Sequence, residues 1–266
     1  MRNRVVIALA VVAVLGAVAR AQNSLQQTIH QVGYSLGLLR GLEEKDFIIA
    51  SQFDATGTML VGTRMVKVPR YRAQIRWDTP GMRVDYDLGE GAQKQRKVEV
   101  FGGKFAWNED KPGAGLTPTS GTATPSPDAY TERLIQMWLT PHGVAKAAGA
   151  AGEKAAKMST VAGKPTLTFP LPAPLESITM TATLDATTGR PERAEVRTPA
   201  GVMEVAYSLY KDFDNSDVPY PTRIVAKRDG KVIADMTVTN GAGYNPYVVF
   251  PIPKNVSAGQ PGRVGG

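Results

Sequence analysis

The 266-residue chain has no cysteine and only two histidines, His30 and His142. Without thiols there is no disulfide framework, no Cys-based metal site, no cysteine nucleophile and no acylated cysteine to anchor the protein. The two histidines lie far apart and in neither H-E-x-x-H nor H-x-H spacing, so they do not form the three-ligand zinc site of a hydrolase. A G-x-S-x-G elbow, a phosphate-binding glycine loop and a dinucleotide fingerprint after a strand are also missing. No metal and no cofactor is expected. The apolar run Val5 to Val18 is shorter than the roughly 20 residues of a membrane-spanning helix, so no transmembrane anchor is expected in the mature chain.

That run is preceded by Arg2 and Arg4 and followed by Ala19-Arg20-Ala21, the pattern of a cleavable secretory signal with an A-x-A site. Residues 1–21 are therefore expected to be a signal peptide, and the protein periplasmic or secreted. The formal charge of +7 includes Arg2, Arg4 and Arg20; the remaining basic residues form no block. Nucleic acid is thus not an expected partner.

Leu25, Ile29, Val32, Leu36, Leu39 and Leu42 recur at spacings of three and four, which predicts an amphipathic helix from about Ser24 to Leu42. His30 falls on the flank of that stripe. From Phe47 onward the period is two. In "VPRYRAQIRWDTPGMRVDYDL", Tyr71, Ala73, Ile75 and Trp77 share one face and Arg70, Arg72, Gln74 and Arg76 the other. The turn Asp78-Thr79-Pro80-Gly81 predicts a hairpin with Trp77 opposite Met82. That register sets Arg76 against Arg83, an unneutralised cationic spot that a solvated sheet face would tolerate or an anion would occupy. Further strands with turn signals between them, among them Asp229-Gly230, bring the tally to about eleven. A helical insertion from about Asp128 to Ala148 interrupts them. Residues 108–127, dense in Pro, Gly, Thr and Ser, predict a flexible loop, and 257–266 a loose tail.

Within "MWLTPHGVAKAA", Thr140 is placed as an N-cap and Pro141 as the first residue of a second helix. His142 then lies in a first helical turn, where the helix dipole favours neutral imidazole. It can help the helix begin and dock, or serve a polar site together with Arg76 and Arg83. Catalysis would need a carboxylate such as Asp85 or Asp87 brought near it. Tyr71, Trp77, Tyr86, Phe105, Trp107 and Trp138 are candidates for lining a concave pocket, although the same residues serve equally well as plain core.

Pro69-Arg70-Tyr71 with Arg83-Val84-Asp85-Tyr86, "WLTPHGVAKAA" at Trp138 to Ala148, and "YSLYKDF" at Tyr207 to Phe213 followed by "YPTRI" at Tyr220 to Ile224 are segments that together resemble a known family of exported α+β proteins, the lipoprotein-carrier type (LolA/LolB-like). They look most like the region ahead of the metallo-β-lactamase-fold domain in some bacterial proteins, here without the metal-binding H-x-H-x-D-H segment. The resemblance implies one domain over residues 22–256, in which a strongly curved antiparallel half-barrel sheet wraps an N-terminal helix and the central helical insertion. It also implies non-enzymatic binding of an apolar ligand, a lipid or acyl chain, in the concave face. The alternative is contact with another envelope protein as a scaffold or accessory module.

Overall fold

A computed structural model describes residues 24–111, 123–241, 245–259 and 261–262. The expected signal peptide, part of the expected flexible loop and part of the tail lie outside these residues.

The first helix, α1 (24–35), stops earlier than its apolar stripe suggests. Gly37 adopts φ 70°, Leu38 N–H bonds to Gly33 O at 3.0 Å and Gly37 N–H to Tyr34 O at 3.0 Å. This Schellman closure turns the chain. Leu25, Val32 and Leu36 are buried, whereas Leu42 is fully exposed in the turn between the short strands β1 (Leu39–Arg40) and β2 (Lys45–Asp46).

The first half of the main sheet comprises β3 (Ala50–Val61), β4 (Arg64–Arg76), β5 (Gly81–Leu88), β6 (Gln95–Gly102), β7 (Phe105–Glu109) and β8 (Ala123–Pro125). Helices α2 (Tyr130–Trp138) and α3 (Pro141–Ala155) follow. The second half comprises β9 (Lys157–Val161), β10 (Lys164–Pro170), β11 (Thr179–Leu184), β12 (Pro191–Thr198), β13 (Gly201–Lys211), β14 (Tyr220–Arg228) and β15 (Lys231–Asn240); a short helix, α4 (Lys254–Ser257), comes last. The thirteen antiparallel strands run β8-β7-β6-β5-β4-β3-β15-β14-β13-β12-β11-β10-β9. The chain thus starts mid-sheet, meanders to one edge, crosses one face through α2 and α3 to the other edge, and returns until β15 pairs with β3. The sheet stays open, and register shifts in β3, β11, β14 and β15 bend and twist it, as bulges do. The fold is α+β with one large curved sheet. It has more strands than the expected eleven or so because β8 and β9 carry too little apolar alternation to be read from sequence.

The β4–β5 hairpin corrects the expected register. Ile75, not Trp77, lies opposite Met82, and Gln74, not Arg76, lies opposite Arg83. The turn takes four residues because Arg76 Nε and Nη2 bond to the Asp78 carboxylate at 2.8 and 2.9 Å, while Trp77 N–H leaves the hairpin for Ile49 O at 2.9 Å. The two-residue shift sets Arg72 against Asp85 and Arg70 against Asp87. On this outer face Asp85 meets Arg70, Arg83 and Arg96, and Asp87 meets Arg70 and Lys94. Burial raises the Asp85 pKa, but the bonds from Arg96 and Arg70 outweigh it and hold the carboxyl well below its ordinary range. No uncompensated cationic spot forms at Arg76 and Arg83.

Candidate functional site

The concave face is covered by α1, α2 and α3, and its middle strands are covered least. Arg133 docks α2 on one half of the sheet: its guanidinium, buried in the protein, donates to Val100 O at 2.9 Å, Trp107 O at 2.7 Å and Asn108 Oδ1 at 2.6 Å. The corner between α2 and α3 docks on the other half. There Thr140 Oγ1 caps α3 by accepting from Gly143 N–H at 3.1 Å, and Tyr207 Oη donates to Leu139 O at 2.5 Å. A side chain at Gly143 would overlap the backbone of Met137 and Trp138, so only glycine lets the corner turn so tightly.

Beneath this corner a cavity of about 170 Å³ remains over β3, β4, β13, β14 and β15. Its floor is Ala73, Ala226 and Ala234, whose methyl groups are too short to reach the helices. Met59, Met82, Met203 and Met236 wall it, Phe53 and Tyr71 supply aromatic surface, and Gln136, Leu139 and Thr140 close it from above. Burial, with Glu99 nearby, pushes the Tyr71 phenol far above its ordinary pKa. It therefore stays a neutral hydroxyl in a lining that is otherwise mostly apolar. Met203 also borders a second, larger space of about 600 Å³ that runs under Ile135 to Ile178, Pro199 and Arg228.

Of the residues expected to line a concave pocket, Tyr71 lines the chamber. Tyr86 shares its face, 6.2 Å from Tyr71 between ring centroids, and donates from Oη to Glu99 Oε1 at 2.9 Å. Trp77 and Trp138 pack on each other at 5.9 Å in the core, outside the chamber. Phe105 and Trp107 lie on the other face of the sheet. The pairs Phe101–Ala106 and Val100–Trp107 separate the two sets, and Phe105 and Trp107 join Val98, Val100 and Ala123 under Phe250, Ile252 and Val256. Alternation along β7 groups Phe105 with Trp107 but does not say which face they take. Arg76 and Arg83 also point outward, paired with Asp78 and with Glu109 and Asp85. Phe53 and the four methionines were not singled out from sequence; the one signal for them is methionine recurring on strands.

His142 sits in the first turn of α3, buried, with Nδ1 3.1 Å from Ser51 Oγ. Ser51 Oγ in turn accepts from Trp77 Nε1–H at 3.0 Å, and the imidazole meets the Tyr220 ring edge-on at 5.4 Å. Burial, with the Lys146 charge adding to it, pushes the His142 pKa down to about 3, so the ring is neutral. The carboxylates needed for a catalytic pair are elsewhere: Asp85 and Asp87 lie on the outer face, engaged with arginines. Among the described residues no group of three His, Cys, Asp or Glu side chains could hold a metal ion.

No family model matches the sequence, and no curated protein matches it. Solved structures similar to this chain include a LolA superfamily protein from Nitrosomonas europaea, 10% identical over 86% of this chain and 95% of that one, TM-score 0.48. A DUF1329 family protein from Desulfovibrio piger is 10% identical over 86% and 95% of the two chains, TM-score 0.45. An uncharacterized conserved protein from Thermus thermophilus is 13% identical over 85% and 90%, TM-score 0.33.

Proposed function

We propose that this protein binds an apolar guest, an alkyl or acyl chain, without covalent chemistry, and that the methionine-walled chamber receives the end of the chain. The observation that carries this reading is the cavity of about 170 Å³ with an alanine floor and a wall of Met59, Met82, Met203 and Met236. An engineered apolar cavity of roughly 150 Å³ takes up benzene, so the chamber holds about six carbons. At about 0.8 kcal/mol per buried CH₂ these give roughly 5 kcal/mol, a dissociation constant of order 10⁻⁴ M. Methionine suits such a wall because its unbranched thioether adapts to guests of different shape.

The apolar segment after Arg2 and Arg4 supports export from the cytoplasm, and among the described residues no helix is long and apolar enough to cross a membrane. Filling the floor tests the reading. Ala234→Trp is expected to abolish uptake of a fluorescent lipid probe while the protein stays folded by circular dichroism. Probe uptake equal to wild type in a folded Ala234→Trp protein would place the guest elsewhere.

A second reading, contact with a protein partner, is supported by the exposed side chains of Phe47, Ile49, Tyr247 and Val249. Their segments run side by side, with Asn245 bonded to Phe47 O and Ile49 N–H.

A further inference from the structure

We infer that Met203 sets the length of chain the protein accepts, by standing between the inner chamber and the outer groove, and that the chain it admits carries an uncharged head. This rests on the apolar-guest reading above. Met203 borders both spaces. Its neighbours divide between the two: Gln136 of α2 and Leu139 just after it roof the chamber while Glu132 and Ile135 border the groove, and on β14 Ala226 faces the chamber while Arg228 faces the groove. At the other end, Phe53, Tyr71 and Met82 bound the chamber, so a chain too long for it gains further apolar surface by passing Met203.

Passage is feasible on both sides of the partition. Met203 is 8% exposed, and its side chain has three rotatable bonds and no branch, so it can be displaced without moving the strand. Beside it, Arg228 Nη2 holds Glu132 Oε1 at 2.5 Å and ties β14 to α2. Both partners are more than a third exposed, and an ion pair so exposed is weak and screened by salt. It acts as a clasp that a guest can open.

The groove beyond is lined by Ile135, Ile178 and Pro199, with Arg228 paired to Glu132 across it and Arg197 paired to Glu195 beside it. Each of these arginines is already engaged by a carboxylate. An alcohol or ester head fits there at least cost, whereas a charged head has to displace one half of an existing pair.

A series of 1-alkanols from butanol to dodecanol, titrated calorimetrically against wild type, Met203→Ala and Met203→Phe, tests this. In wild type, affinity is expected to rise about fourfold per CH₂ up to about six carbons and more slowly beyond. Met203→Ala is expected to keep the full slope, tightening decanol over butanol by about tenfold more than wild type does. Met203→Phe is expected to end the rise at about six carbons. If Met203→Phe does not fold, Met203→Ala with Met203→Leu as an isosteric control carries the test. Identical length profiles in wild type and Met203→Ala would overturn the role of Met203 and leave the apolar-guest reading standing, whereas no alkanol binding at any length would overturn both. Decanoate binding more tightly than decanol would overturn the uncharged head.

Discussion

At the scale of single residues, His142 illustrates what a sequence does and does not disclose. Its place in a first helical turn was legible from Thr140-Pro141-His142-Gly143, because proline and an N-cap fix where a helix starts. Its partner Ser51 was not, being ninety-one residues away. Burial lowers its pKa to about 3, so the unfolded chain takes up a proton below about pH 6.5 that the folded chain refuses. Folding stability is then fully present above pH 6.5 and is lost as pH falls towards 3, at about 1.4 kcal/mol per pH unit. Denaturant titrations from pH 7 to about 4.5, above most carboxylate pKa values, should show this slope in wild type and not in His142→Gln. Equal slopes in the two proteins would mean that His142 titrates normally.

At the scale of elements, the joint between α2 and α3 decides whether the chamber has a roof. Thr140→Ala removes the cap from Gly143 N–H and is expected to cost about 1 kcal/mol in chemical denaturation; a change below about 0.3 kcal/mol would show that Tyr207 and the Leu139 carbonyl hold the corner unaided. Strands were readable wherever one face is apolar and the other charged, as in β4 and β5. Register was not, because the Arg76–Asp78 bond widens the turn by a contact that no residue pattern encodes. The end of α1 was overrun for a related reason: Leu39 and Leu42 continue the helical spacing, and Gly37 at positive φ breaks it.

At the scale of the molecule, the two sheet halves meet at β3 and β15, so the centre of the sheet is built from the start and end of the described strands. Small residues concentrate there on the concave side, at Ala73, Ala226 and Ala234, while the bulky ones, Tyr207, Tyr220, Phe101 and Ile75, pack under the helices. This unequal filling is why one curved layer can be mostly core and still hold a chamber. It was only partly legible: period-two alternation sorts side chains into two faces, but which face is inner depends on what covers each. The C-terminal Phe250, Ile252 and Val256 cover an apolar patch on the outer face and so reverse the expected placement of Phe105 and Trp107. An apolar chamber of this size should stay dry and take up a noble gas. Crystals pressurised with xenon test its existence most directly. The expected result is a xenon peak between Leu139 and Met236, absent in Ala234→Trp; side chains closed over Ala73, Ala226 and Ala234 with no xenon among them would contradict it.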